Sequence, residues 1–294
     1  MSAESVYGSR PTNLHRSTRA ELEILNETIV EVTAEEHPVT LRGVYYRCVS
    51  RGVIDKTEKE YRRIGRQLIK LRTEGRLPWS WIEDGNRVTY RTSSYSSAAQ
   101  ALESAAQAYR RNMWIDSDAE VVIISEKDAI SGTVWPIVCQ KWCCDLAIVR
   151  GYSSVTFVHG MAEKVLANTA MGKTTWLYQL GDHDPSGLDA WRSFQERLHE
   201  YAPGGKVECQ RLAVTPEQIE EFSLPTRPTK KSDTRAKDVT GESVEVDAIN
   251  ANTLRQLVDE AIGQHIDPHV LKVAEEYEKS EQLLIRKFAL EAVR

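Results

Sequence analysis

The sequence predicts an α/β protein, an N-terminal winged helix-turn-helix domain followed by a parallel α/β sheet domain. Three observations predict it. Between residues 17 and 92, three capped helical segments lead into a turn-rich run that reads as a hairpin. From residue 119 short apolar runs alternate with helical patterns, the texture of a parallel sheet with crossover helices. Acidic residues stand where two of those strands end, Glu126 after one and Asp182 and Asp184 after another.

Residues 1–16 are polar and read as an arm. Ser17 or Thr18 caps a first helix through Leu22, Ile24, Leu25, Ile29 and Val32, ended by His37-Pro38. Thr40 caps a second, residues 41–50, closed by Gly52; Thr57 caps a third, 58–74, stopped by Gly75. On the third helix Tyr61, Ile64, Leu68 and Leu71 share one face, while Lys59, Arg62, Arg63, Arg66 and Lys70 populate the rest. Residues 79–82 and 87–91 flank the turn 83–86 and read as a hairpin. Three helices and a hairpin make a winged helix over 17–92. Its third helix would enter the major groove, with Arg87 on the wing.

A connector, 93–118, carries an Ala-rich helix from about 97 to 111. The sheet domain, 119–265, takes strands 119–125, 145–149, 174–180 and 207–213, with helices over 127–142, 154–168, 187–201 and 215–222. Residues 225–238 read as a polar loop and 244–249 as a short extended piece. Asn252 caps a helix through Leu254, Leu257, Val258 and Ile262. A last helix, in 266–294, carries the stripe Val270, Val273, Tyr277, Leu284 and Phe288. Packing on the chain's own sheet is its expected use, and a contact between subunits the other.

Composition, 41% hydrophobic and 28% charged, is that of a globular protein. No apolar run reaches the roughly 18 residues of a membrane span, and the N-terminus shows no apolar signal core. Five cysteines without a Cys-x-x-Cys pair point to reduced thiols rather than a zinc site, and the expected location is the cytoplasm. Net charge is −5, yet residues 40–92 hold 13 Lys+Arg against 6 Asp+Glu. That local excess marks one surface for phosphate, with Arg62, Arg63, Arg66, Lys70 and Arg87 as its DNA-binding residues.

The stretch 174–179 reads as a buried strand, and Asp182-His-Asp184-Pro185 follows it. Alternate side chains of an extended segment point the same way, so both carboxylates can face one cation. Hard oxygen ligands suit Mg²⁺. A helix-capping turn is the plainer reading of the same residues, since Asp is a good N-cap. In an open parallel sheet ligands bind at the carboxyl edge, where Glu126 would meet the pair. His183 points away from its neighbours if the segment is extended, and Lys127 and Asp128 stand close enough in sequence to assist.

An acid after one strand and Asp-x-Asp after a later one resembles the Toprim domain of topoisomerases, primases and some nucleases. With Leu41-Arg42-Gly-Val-Tyr45-Tyr46 added, the ordered set resembles more narrowly the A subunit of type IIB topoisomerase (topoisomerase VI) and the related meiotic double-strand-break protein. The resemblance spans about residues 40–265 and takes in the turn 150–154 and the segments 224–231 and 244–249. The chain is shorter than the usual A subunit and has no phosphate-binding glycine loop.

The resemblance implies that Arg42 and Tyr46 are catalytic, Tyr46 being the nucleophile of an Arg-x-x-(Tyr/Phe)-Tyr element. It implies Mg²⁺ on Glu126, Asp182 and Asp184, and a 5′-phosphotyrosyl link to DNA. It further implies a homodimer on double-stranded DNA with active sites shared between subunits, a separate ATPase subunit, and association with the nucleoid. The chemistry is self-consistent. A phenol titrates near 10 and needs activation, and Arg42, one helical turn away, can steady a phenolate or a phosphate. Tyr45 and Tyr46 as plain core residues is the competing structural reading. A Toprim nuclease using metal-activated water and a non-catalytic winged-helix binder are the competing functions.

Overall fold

The structure, a computed structural model, describes residues 18–83, 92–228 and 242–291. Helix α1 (Arg19–Glu36) begins with a reciprocal cap: Thr18 Oγ1 accepts the Glu21 N–H, and the Thr18 N–H donates to the Glu21 carboxylate. Thr40 caps α2 (Leu41–Ser50) and Thr57 caps α3 (Glu58–Thr73). Gly52 and Gly75 follow these helices with φ of +70° and +73°, a conformation that side chains disfavour and that turns the chain out of the helix. Leu25, Ile29, Val32, Val44, Ile64, Leu68 and Leu71 form the buried interior of this three-helix unit.

The stretch read as a hairpin differs. Trp79–Trp81 is a single 3-10 turn, and strand β2 (Ile82–Glu83) pairs in parallel with β1 (Val39–Thr40). The two tryptophans do not alternate across a strand, and Trp79 is largely exposed. Trp81 stacks on His37 with ring centroids 4.5 Å apart, and the Arg72 guanidinium lies 4.7 Å over Trp79. The far limb of the expected hairpin, with Arg87, falls outside the described residues.

The second part is a four-stranded parallel sheet of β3 (Ala119–Ser125), β4 (Asp145–Ile148), β5 (Thr174–Leu180) and β6 (Val207–Ala213), in the order β4-β3-β5-β6. Alternate residues of β3 serve opposite faces. Val122 and Ile124 meet α6 (Val155–Ala170) and α7 (Pro185–Tyr201) through Val158, Val165, Phe194 and Leu198. Val121 and Ile123 join a core shared with α5 (Asp128–Trp135), α9 (Ala251–Gly263) and the N-terminal helices. Both faces of β3 are covered, which is why Val121-Val122-Ile123-Ile124 runs without a polar break.

Three local expectations are corrected. The helix expected over 127–142 is interrupted at Pro136, after which Pro136–Lys141 forms a wider π turn. Proline lacks the N–H that would continue the ladder. Asn250, not Asn252, caps α9, its side chain accepting from the Asn252 and Thr253 N–H groups. Residues 244–249 pair only at Val244, with His183, and then turn through a 3-10 segment at Val246–Ala248.

Helix α10 (Pro268–Glu291) packs on α4 (Ala98–Ala108) and not on the sheet. Its buried residues are Ala274 and Ala289, whereas Val270, Val273, Tyr277, Leu284 and Phe288 are exposed. The ion pairs Arg111–Glu281 and Arg286–Glu103 fasten the inner side, so the large apolar stripe faces outward. No helix among the described residues is long and apolar enough to cross a membrane.

Candidate functional site

From β3 the chain passes to β4 on one side of the sheet and later returns to β5 on the other. The reversal leaves a crevice at the carboxyl ends of β3 and β5, the usual ligand position in open parallel sheets. Glu126 follows β3 there, and Asp182 and Asp184 follow β5. The Glu126 N–H donates to the Leu180 carbonyl at 2.9 Å, and Glu126 Oε2 accepts the Asp182 N–H at 3.2 Å. Asp184 caps α7, its Oδ1 accepting the Gly187 N–H at 2.7 Å and the Ser186 hydroxyl at 2.8 Å.

Two glycines make room for this approach. A Cβ at Gly187 would stand 2.7 Å from the Asp182 carbonyl oxygen, 3.1 Å from Glu126 Oε2 and 3.4 Å from Asp184 Oδ1. A Cβ at Gly181 would lie 2.9 Å from Glu126 Oε2. Glu126 and Asp184 therefore converge over the first turn of α7. Burial raises the Glu126 pKa, and the nearby Asp182 charge raises it further.

The Asp182 carboxylate is engaged elsewhere. Its Oδ1 lies 2.8 Å from Lys127 Nζ and accepts the Val246 N–H at 2.9 Å. Lys127 Nζ also lies 3.3 Å from Glu245 Oε2 and 3.1 Å from Asp247 Oδ2. Asp182, Glu245 and Asp247 are 8%, 5% and 3% exposed, so one ammonium serves three buried carboxylates. Burial raises the Asp182 pKa and Lys127 only partly offsets it. For Lys127 burial acts downward, but Asp247, Asp182 and Glu245 outweigh it and the pKa rises. For Glu245 burial acts upward, but Lys127, Arg42 and Arg227 hold its carboxyl below the usual range.

Among the described residues, no three His, Cys, Asp or Glu side chains form a ready-made metal cage. Glu126 and Asp184 remain as two hard oxygen donors converging at Gly187. That set fits Mg²⁺, which commonly takes one or two carboxylates and completes its shell with water and substrate phosphate.

Tyr46 is 4% exposed on α2. Lys56 Nζ stands 5.3 Å from its ring centroid and donates to the Pro225 and Thr226 carbonyls at 2.9 Å each. Arg42, one turn before Tyr46, pairs with Glu245, and Arg227 Nη2 reaches the other Glu245 oxygen at 2.7 Å. Arg42, Tyr46, Lys56, Tyr61, Arg227 and Glu245 border a cleft of about 400 Å³. Burial pushes the Tyr46 hydroxyl well above its ordinary pKa; Glu245 adds to this, while Arg227, Arg42 and Lys127 oppose it. The start of α2 is fixed to the sheet domain, since Thr40 Oγ1 donates to Asp247 Oδ1 at 3.0 Å and Arg47 donates to the Ala248 carbonyl.

Lys127 is visible in the sequence as the neighbour of Glu126, but its three partners are not. The signal for them is the alternation Glu245-x-Asp247, which puts two acids on one side of a short segment. Asp128 pairs with Arg150. His183 anchors backbone, its N–H donating to the Val244 carbonyl at 2.8 Å.

On α3, Lys59, Arg62, Arg66 and Lys70 are exposed at spacings that place them along one side. Arg62 pairs with Glu58 and Arg63 with Glu60, both at 3.1 Å, and Lys70 approaches Glu74 at 3.7 Å. Arg66 makes no ion pair among the described residues. Comparison with protein-family models, with curated proteins and with solved structures finds no match to this chain.

Proposed function

We propose that this chain is a divalent-cation-dependent DNA-cleaving enzyme in the manner of the topoisomerase VI A subunit, which its motifs resemble, with a winged-helix domain and a Toprim-type sheet domain. One observation carries the reading. Arg42, beside Tyr46, and Lys127, beside Glu126, share a single carboxylate, Glu245. Arg42, one turn before the candidate nucleophile, and Lys127, next to Glu126 at the acidic sheet edge, thus belong to one ion-pair network.

In this reading Tyr46 Oη attacks a backbone phosphorus. The new P–O bond forms as the bond to the departing sugar oxygen breaks; the phenol proton passes to solvent, and solvent returns one to the sugar oxygen, which leaves as a hydroxyl. The phosphotyrosyl product conserves the bond energy for resealing. Arg42 and Arg227 supply guanidinium groups for the phosphate. A divalent cation on Glu126 and Asp184 would supply neutralising charge. The exposed basic residues of α3 hold the flanking duplex. Cutting both strands takes two tyrosines and therefore two copies of the chain, most simply a two-fold homodimer.

A second reading has Tyr46 idle and a metal-activated water as nucleophile; the deep burial of Tyr46 favours it. The test is incubation with supercoiled plasmid and Mg²⁺, stopped with detergent and run with and without protease. Cut DNA that enters the gel normally only after protease supports the tyrosine. Cut DNA indifferent to protease supports water. Binding without any cleavage would leave a DNA-binding protein and end both.

A further inference from the structure

We infer that the acidic edge takes one divalent cation and that Lys127 occupies the place of a second. The inference rests on the cleavage reading for the first cation and adds the count and the residue that sets it.

The carboxylates divide into two sets. Glu126 and Asp184 converge on Gly187, at the first turn of α7. Asp182, Glu245 and Asp247 face Lys127 Nζ, all within 3.3 Å. Sites that use two metal ions hold them about 4 Å apart on shared carboxylates. Here the carboxylates that would hold the second ion already surround an ammonium. The charges of that set also close: Lys127, Arg42 and Arg227 stand against Asp182, Glu245 and Asp247. Nothing is left over to draw in a divalent ion. The Glu126–Asp184 set has no ion pair of its own among the described residues, and the half-buried Arg211 guanidinium acts on both, one positive charge against two negative. Arg211, behind it, donates to the Gly181 carbonyl at 2.9 Å and to the Asp182 carbonyl, and not to either carboxylate.

Lys127 is therefore a positioning residue. It fixes Asp182, whose N–H in turn donates to Glu126 Oε2 at 3.2 Å. An ammonium tethered beside Glu126 cannot diffuse away, so the buried acids stay in place with or without cation. Removing its charge leaves Asp182, Glu245 and Asp247 short of one positive charge, which near neutral pH a bound cation can replace.

The experiment is Mn²⁺ titration of the full chain followed by electron paramagnetic resonance, with Mg²⁺ as competitor and circular dichroism to confirm folding. One tight Mn²⁺ per wild-type chain, lost in Glu126→Ala, is the expected count. Lys127→Met is expected to hold two, close enough to give a spin-coupled spectrum. Two coupled ions in the wild type would overturn the inference and leave the cleavage reading standing. No tight Mn²⁺ in the wild type would remove both. A folded Lys127→Met chain that still holds one ion would overturn the stand-in role. Should that variant fail to fold, Lys127→Gln is titrated in its place, two coupled ions supporting the stand-in role and one ion overturning it.

Discussion

Replacing Lys127 with methionine keeps most of the side-chain volume and removes one charge, so it isolates the electrostatics. The lysine side chain is 21% exposed and touches three carboxylates from two distant segments at 2.8–3.3 Å. At such distances each attraction amounts to several kcal/mol even at an effective dielectric near 20, most of it offset by the desolvation of the four groups. The net cost of removing one partner is that of leaving buried charge uncompensated, about 3–5 kcal/mol. Against a typical stability of about 5–15 kcal/mol this is a large loss.

The loss has a pH signature. Asp182 already has a raised pKa, and without Lys127 it rises further; Glu245 loses the first of the cations that lower its own. A carboxyl whose folded pKa exceeds its unfolded value, about 4, leaves stability intact below that value. It takes stability away as pH rises through the folded pKa. The deficit of Lys127→Met is thus full near pH 7.5 and shrinks toward pH 4. Urea unfolding followed by tryptophan fluorescence at pH 7.5 and pH 5 measures it, with the slope m expected to stay constant. A deficit under about 1 kcal/mol, or one equal at both pH values, would refute the buried-network argument.

Three further outcomes are expected. Gly187→Ala drives a methyl against the Asp182 carbonyl, a backbone atom that cannot swing aside; it should cost about 1–3 kcal/mol and abolish plasmid cleavage, and full activity would mean that the crevice is not the site. Replacing Arg62, Arg63 and Arg66 together should flatten the salt dependence of DNA binding by roughly one unit of log–log slope for each phosphate left unneutralised, and an unchanged slope would place the DNA on another surface. Because burial holds the Tyr46 hydroxyl above its ordinary pKa of about 10, cleavage should climb roughly tenfold per pH unit from 6 to 9, and a plateau near neutrality would point to water instead.

Much of the frame is legible in the sequence because it is local. Thr40 and Thr57 announce α2 and α3 through their caps, and Gly52 and Gly75 announce their ends. The apolar runs of β3, β5 and β6 match the strands residue for residue. The placement of Glu126 and the Asp182/Asp184 pair at the carboxyl ends of strands follows from the same pattern, whereas the adjacency of β3 and β5 depends on the topology. What escapes is what depends on distant partners. Lys127 meets Glu245 and Asp247 across 118 and 120 positions, and no periodicity encodes that. Trp79 and Trp81 suit a strand by type, yet their rings find better surfaces on α3 and His37. The stripe of α10 has the spacing of a buried face, but the alanines of α4 and α10 allow a closer approach on the other side. Asp182 is readable as an acid at the right place, though not as one already held by an ammonium.

The central claim is that Tyr46 becomes joined to DNA. The most direct measurement is peptide mapping. DNA is cut by the wild-type chain in the presence of Mg²⁺, denatured in detergent and digested with nuclease and trypsin, and the nucleotide-bearing peptide is sequenced by mass spectrometry. A residual nucleotide is expected on Tyr46, through a phosphodiester to the tyrosine oxygen, and none in Tyr46→Phe. Cleaved DNA carrying free 5′-phosphates and no modified peptide, or a nucleotide on any other residue, would contradict it.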